Sequence, residues 1–298
     1  MGRASPRFAV GIPGYPRRVP FFEHAGRRLA YTELGDGPRT CVLLHALLLS
    51  QKMHEPLALA LAERGNRVVT LDLLGHGQSD RPRDMTLYSM PAFGEQTVAL
   101  LDHLGVEEAV IGGTSLGANT TLEAAVLAPG RVRGMVIEMP VLDNALLACA
   151  IAFTPLTVAL TFGEPVMRFV QAAAKLVPSA TGPLLADLTL DYVRQDPAPS
   201  AAVIQGLFFG RVAPPKAVRQ TLQPPALVIG HRRDPIHPFS DSGALVDELP
   251  NARLVQAESV VELLVTPERL TDEIAAFLDE CWGRRRRRRA AAGARSAA

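Results

Sequence analysis

Gly113-Thr114-Ser115-Leu116-Gly117 is a G-x-S-x-G that follows the apolar run Ala109-Val110-Ile111 and opens a helical pattern over 118–128. A serine placed between a strand and a helix occupies a sharp, strained turn that lifts its hydroxyl above the sheet. Such a turn demands φ > 0 at the serine, and side chains at Gly113 or Gly117 would collide with the neighbouring strand and helix. The hydroxyl becomes a nucleophile only with a base in hydrogen-bond reach, itself oriented by an acid. Acyl transfer also needs two donors aimed at the developing oxyanion.

Three further clusters close apolar strands. His45-Ala46-Leu47-Leu48-Leu49-Ser50 ends the run 41–44, and Asp72-Leu73-Leu74-Gly75-His76-Gly77-Gln78-Ser79-Asp80 ends 67–71. Asp234-Pro235-Ile236-His237-Pro238 follows 226–230. In order and spacing, the four stretches resemble the H-G-x-x-x-S, D-x-x-G-H-G-x-S-D, G-x-S-x-G and D-x-x-x-P signatures of the α/β-hydrolase family, across about residues 21–282.

The resemblance implies Ser115 as nucleophile, Asp234 as acid, and the backbone N–H groups of Leu47 and Leu116 as oxyanion donors. It makes His45, His76, Gly113 and Gly117 supports of the surrounding loops. Ala46 stands where family members usually have Gly, so a methyl group is expected to narrow the approach to the oxyanion hole. The family order Ser…Asp…His is met for its first two members alone. The histidine belongs about seven residues before Pro267-Glu268, where this chain has Val260, and no histidine follows His237.

The base therefore has several candidates. His237, three residues beyond Asp234 on the same loop, is either a rerouted base or a plain loop histidine. His231 ends a strand, His54 opens a helix near the oxyanion loop, and His76 sits between two glycines as a brace. His24 and His103 are peripheral. Glu258 or Glu262 can serve if burial raises its pKa towards neutrality, although a surface carboxylate is the ordinary reading of each. Asp72 and Asp80 read as turn-forming residues. Glu138 and Asp143 follow the strand after which some family members keep an alternative acid, and Asp234 is the preferred acid here.

The elements that must position these residues alternate at short spacing. Phe21–Tyr31 reads as a hairpin turning at Ala25-Gly26. Strand 41–46, helix 53–64, strand 67–73, helix 92–104, strand 108–114, helix 116–128 and strand 132–139 follow. Continuous apolar strands imply a parallel sheet buried on both faces, and the alternation implies right-handed crossovers. The fold class is thus α/β, a doubly wound, mostly parallel sheet. From 141 to 223 the rhythm turns helical, with breaks at Pro155, Pro178, Pro197 and Pro214-Pro215, which reads as an inserted cap. Strand 225–230, helix 240–249, strand 252–257 and helix 267–281 resume the core. The organisation expected is a basic arm 1–20, a core of 21–140 and 224–282, a cap 141–223, and an Arg-rich disordered tail 283–298.

The 298 residues carry 31 basic and 30 acidic side chains. Eleven of the arginines lie within residues 1–20 and 284–298, which leaves a body with 20 basic and 30 acidic residues, a balance of −10. An acidic body argues against nucleic-acid binding by the core, while the run 284–289 suits weak contact with anionic surfaces. Cys41, Cys149 and Cys281 have no disulfide or metal spacing, and no apolar leader stands near Met1, so a cytoplasmic chain without cofactor or metal is expected. The uncharged stretch 144–163 approaches the length of a membrane span. Pro155 and its threonines favour a cap helix over an apolar pocket, so no transmembrane segment is expected.

Two readings of function remain open, with a third beside them. The first is hydrolysis of apolar esters or related acyl compounds. The second is a relative that has lost turnover and binds a hydrophobic ligand. The third attaches the protein to a membrane or assembly through the Arg tail and apolar cap.

Overall fold

A computed structural model describes residues 19–177 and 184–296, with backbone alone at 185 and 284–296. Strands β1 (Phe21–His24) and β2 (Arg27–Leu34) form the N-terminal hairpin. Ala25 and Gly26 both have positive φ, 49° and 71°, which is the type I′ geometry that matches strand twist. Then β3 (Thr40–Leu44), α1 (Glu55–Glu63), β4 (Arg67–Leu71), α2 (Met90–His103), β5 (Ala109–Thr114), α3 (Leu116–Leu127) and β6 (Val132–Glu138) alternate. The strand order is β1-β2-β4-β3-β5-β6-β7-β8, where β7 is Ala226–His231 and β8 is Ala252–Ala257. β1 and β2 pair antiparallel, and every pairing from β4 to β8 is parallel.

Continuous apolar runs explain the parallel core. All residues of β3, β5 and β7 are buried, because helices cover both faces of the sheet. One apolar cluster joins β3 to α2 and α3 on one face, while another joins it to α1 and Phe277 on the other. Helix α3, behind Ser115, is buried over 116–125, with its interior threonines bonded back to Leu116 and Gly117 carbonyls. Glu123 is fully buried on that helix because Arg211 meets both of its oxygens, at 3.0 and 2.6 Å.

Between β6 and β7 lie α4 (Leu146–Phe162), α5 (Glu164–Ala174), α6 (Leu184–Val193), α7 (Pro197–Phe208) and α8 (Lys216–Arg219). Pro155 does not break the chain as expected: α4 runs straight through it. Pro155 forfeits a single backbone bond on an exposed face, so the helix tolerates it. Pro197 opens α7, where its missing N–H is harmless, while Pro178 lies outside the described residues. Residues 143–162 are long and apolar enough, by length and composition, to cross a membrane, yet only 11% of their most apolar window is buried.

After β7 come α9 (Phe239–Glu248), β8, α10 (Glu262–Val265) and α11 (Glu268–Ser296). Helix α11 runs past 283, where the Arg-rich tail was expected to begin. It continues through the arginine run to Ser296, because arginine and alanine are strong helix formers. Residues 1–18 of the basic arm lie outside the described residues.

Ala25 is the one non-glycine in the hairpin turn, and an L-residue in the left-handed region is strained by roughly 1–2 kcal/mol. Ala25→Gly is therefore expected to stabilise the protein by up to about 1 kcal/mol in urea unfolding, net of glycine's extra chain entropy.

Candidate active site

Ser115 stands between β5 and α3 at φ 54°, ψ −107°. Its N–H donates to the Glu138 carbonyl on β6 at 2.9 Å, which locks the strained turn against the neighbouring strand. The glycines permit the turn to pass. A Cβ on Gly117 would run into the Leu44 carbonyl oxygen, and one on Gly113 into that oxygen and Gly117 itself.

The loop after β7 supplies what Ser115 faces. Asp234 Oδ1 accepts the N–H groups of Ile236 and His237 at 2.8 and 2.9 Å, folding Asp234–His237 into a tight turn. Its other oxygen, Oδ2, lies 2.8 Å from His237 Nδ1. On the far side of the same ring, His237 Nε2 is 2.9 Å from Ser115 Oγ. An acceptor carboxylate at Nδ1 assigns the proton to that nitrogen, leaving Nε2 free to accept the hydroxyl proton. Burial pushes the Asp234 carboxyl up, but the bonds from His237 and Ile236 outweigh it and hold its pKa below the usual range. Serine, imidazole and carboxylate thus stand in a line that can move a proton from Oγ to Nε2.

The other candidates are engaged elsewhere. His54 Nε2 bonds the Leu44 carbonyl at 3.0 Å, and burial lowers its pKa. His45 joins two loops: Nδ1 donates to the Ala46 carbonyl, and Nε2 accepts the Leu73 N–H at 3.1 Å. His76 bonds the Leu74 carbonyl, and its ring lies 4.7 Å from that of His45. His103 bonds Tyr31 and stacks on Phe22. Asp72 accepts from Gln51 and the Gln78 N–H, and Asp80 accepts the Arg28 N–H. Glu262 is paired with Arg269 and takes the Glu258 N–H, while Glu258 is exposed. Asp143 is exposed at the entry to α4.

The loop around Val260, after β8, performs a different task. The Ser259 carbonyl accepts from His231 Nδ1 at 2.8 Å, and His231 Nε2 lies 3.3 Å from Glu138 Oε1, close but off the hydrogen-bonding line. Glu138 Oε2 also accepts from Thr114, the residue before Ser115. Burial opposes charging His231, yet Glu138, the Ser259 carbonyl and the Asp234 charge outweigh it, so its pKa is raised.

Leu47 and Leu116 line one side of a cavity of about 400 Å³ that also contains Ser115 and His237. Leu116 is the first residue of α3, so its N–H has no partner within the helix. Leu48, next to Leu47, has φ 59° in a turn closed by the Leu49 N–H on the Ala46 carbonyl. Ala46 itself is not among the cavity's lining residues; its N–H is 3.1 Å from Met53 Sδ. The rest of the wall is mostly apolar: Met90, Val141, Phe153, Ile204, Leu207 and Val212.

Three anchoring residues escaped the sequence reading. Asn119 bonds Val141 in both directions and the Val212 carbonyl, gripping both ends of the helical insertion. Asp241, fully buried on α9, accepts the N–H groups of Leu142, Asn144 and Ala145. Gln195 donates to the Leu48 carbonyl at 2.9 Å. Asn119 and Asp241 are polar residues on helices and Gln195 lies in the turn between α6 and α7, signals too common to single out.

A family model described as the alpha/beta hydrolase fold matches residues 40–260, most of the chain. The chain belongs to the alpha/beta hydrolase fold family. Bifunctional epoxide hydrolase 2 from Sus scrofa is 34% identical over 110 residues, 37% of this chain and 20% of that protein. The chain thus spans about a fifth of that relative's length. Among solved structures, the enol-lactonase from Burkholderia xenovorans LB400 superposes with a TM-score of 0.71 at 21% identity, over 87% of this chain and 99% of the other. An esterase from Rhodococcus sp. ECU1013 does so at 0.66 and 20%, over 88% and 98%. These likenesses establish the alpha/beta hydrolase fold.

Two outcomes follow from the geometry. Gly117→Ala is expected to destabilise the protein by about 1–3 kcal/mol in urea unfolding, because a backbone carbonyl cannot yield as a side chain would. The raised pKa of His231 has a signed consequence. Its contribution to stability is complete below its unfolded pKa of about 6.5 and fades as pH rises through the higher folded value. The stability difference between wild type and Glu138→Gln should therefore be larger at pH 6 than at pH 9.

Proposed function

We propose that the protein hydrolyses apolar esters or related acyl compounds through Ser115, with His237 as base and Asp234 as the acid that orients it. The observation that carries this reading is the single line Asp234 Oδ2–His237–Ser115 Oγ, with 2.8 and 2.9 Å steps. Ser115 Oγ attacks the acyl carbon while Nε2 takes its proton, and the new imidazolium is stabilised by Asp234. The oxyanion lies towards the N–H groups of Leu47 and Leu116, where the partial positive charge at the start of α3 adds to the hydrogen bonds. His237 then protonates the leaving alkoxide, and a water activated by the same nitrogen cleaves the acyl-serine. The apolar cavity suits an apolar acyl or alcohol portion, and the helices between β6 and β7 act as its cap.

Labelling by a fluorophosphonate probe, which reports hydroxyl activation whatever the natural substrate, tests the assignment. Wild type is expected to label, Ser115→Ala not at all, and His237→Gln and Asp234→Asn about 10³–10⁴-fold more slowly. Glu258→Gln and Glu262→Gln should label at the wild-type rate. A folded wild type that does not label would sink the assignment and favour a ligand-binding protein instead. Equal rates for wild type and His237→Gln would move the base elsewhere.

A further inference from the structure

Helices α4 and α5 turn apolar side chains outward. On α4, Leu147, Ile151, Val158 and Phe162 recur at helical spacing and are 72, 68, 50 and 82% exposed. No charged residue occurs over 144–163. On α5 the arrangement of an ordinary surface helix is inverted. Gln171 bonds the Arg194 carbonyl and Met167 packs inward, while Val166, Phe169 and Val170 face solvent. Such a contiguous exposed apolar face marks an interaction site.

Its chemistry selects among occupants. A protein interface presents a polar rim and about one hydrogen bond per 100–200 Å². Here Thr157 spends its hydroxyl on the Phe153 carbonyl, and Thr161 meets Gln205, so these polar groups serve the protein's own bonds. Exposed Arg168, paired with Glu164, and Lys175, which caps the end of α5, lie on the other face from Val166 and Val170, as charged residues do on helices that rest in a lipid interface. A spanning orientation is excluded while the domain is folded. Leu160 packs with Leu48, Ala201 and Ile204, and Cys149, Ala150 and Phe153 line the cavity. The helix can lie on a bilayer and cannot cross it.

The patch is continuous with the cavity mouth. Leu146 and Phe208 line the cavity while remaining 45 and 54% exposed, and each adjoins an outward apolar residue, Leu147 or Phe209. We infer that the outer face of α4 and α5 docks on a phospholipid bilayer by sinking apolar side chains among the acyl chains, and that the cavity takes its apolar substrate from that phase. The docking stands apart from the proposed chemistry; only the route of the substrate rests on it.

Flotation of the full chain with phosphatidylcholine vesicles at high salt tests this, with fluorophosphonate labelling in vesicle-free buffer read in parallel. Wild type is expected to float with the vesicles, and Ile151→Asp/Phe169→Asp to lose about tenfold or more of that binding. Neither residue lines the cavity, so labelling of the variant should be unchanged, which separates failure of docking from failure of the chemistry. Phe162→Ser/Phe169→Ser gives a milder second reading if the aspartates perturb folding. Docking is overturned if wild type stays with the buffer, as a monomer or as a self-associated species. It is equally overturned if both paired variants still float, or if binding disappears at high salt and on deletion of 284–298, which would assign it to the arginine run.

Discussion

The two oxygens of the Asp234 carboxylate divide their work, and the site depends on that division. Oδ1 holds two backbone N–H groups and so makes the loop after β7 a rigid turn. Oδ2 holds the imidazole that the same turn has brought round. A residue three positions along a chain can reach back to an aspartate only when the intervening backbone folds on itself, and here the aspartate causes that folding. Pro235 and Pro238 narrow the conformations the loop can otherwise adopt, and Pro238 leads directly into α9. The ring is thus placed before Ser115 by local structure at one strand end, with no contribution from the loop after β8.

Freed from that duty, the loop after β8 becomes part of the support. Ser259 takes a bond from His231, and Glu262 ties the following turn to Arg269. His231 in turn approaches Glu138, whose carboxylate accepts from Thr114 and whose carbonyl accepts the Ser115 N–H. A buried histidine–glutamate pair therefore sits under the strained serine. An unpaired charge there would be strongly unfavourable, so the pair depends on both partners.

The helical insertion is held at its base and uncovered at its top. Asn119 and Asp241 satisfy backbone groups at its entry, and Asn119 and Gln195 secure other points against the core. These bonds are buried or half-buried and short, so the cavity wall is well defined near Ser115. On their outer sides α4 and α5 turn apolar side chains to solvent. Firm polar anchoring and an apolar outer face are compatible because the anchored groups precede α4 or follow α5, while the outward apolar side chains lie along those two helices.

The sequence by itself determined the sheet, the elbow turn and the aspartate loop after β7. Parallel strands buried on both faces must be apolar runs, Gly113 and Gly117 are required by local sterics, and Asp234 lies in the loop that follows a strand, beside a proline. All of these are effects of a few adjacent residues, so they are legible in one dimension. Tertiary structure decided three other matters. His237 reaches Ser115 across 122 positions of chain, a distance that spacing alone cannot evaluate. Pro155 stays within a helix because its lost bond falls on an exposed face, and burial is a property of the whole fold. The apolar stretch 144–163 lines a pocket with one side and meets solvent with the other, since composition records how apolar a helix is and only packing records which face is covered.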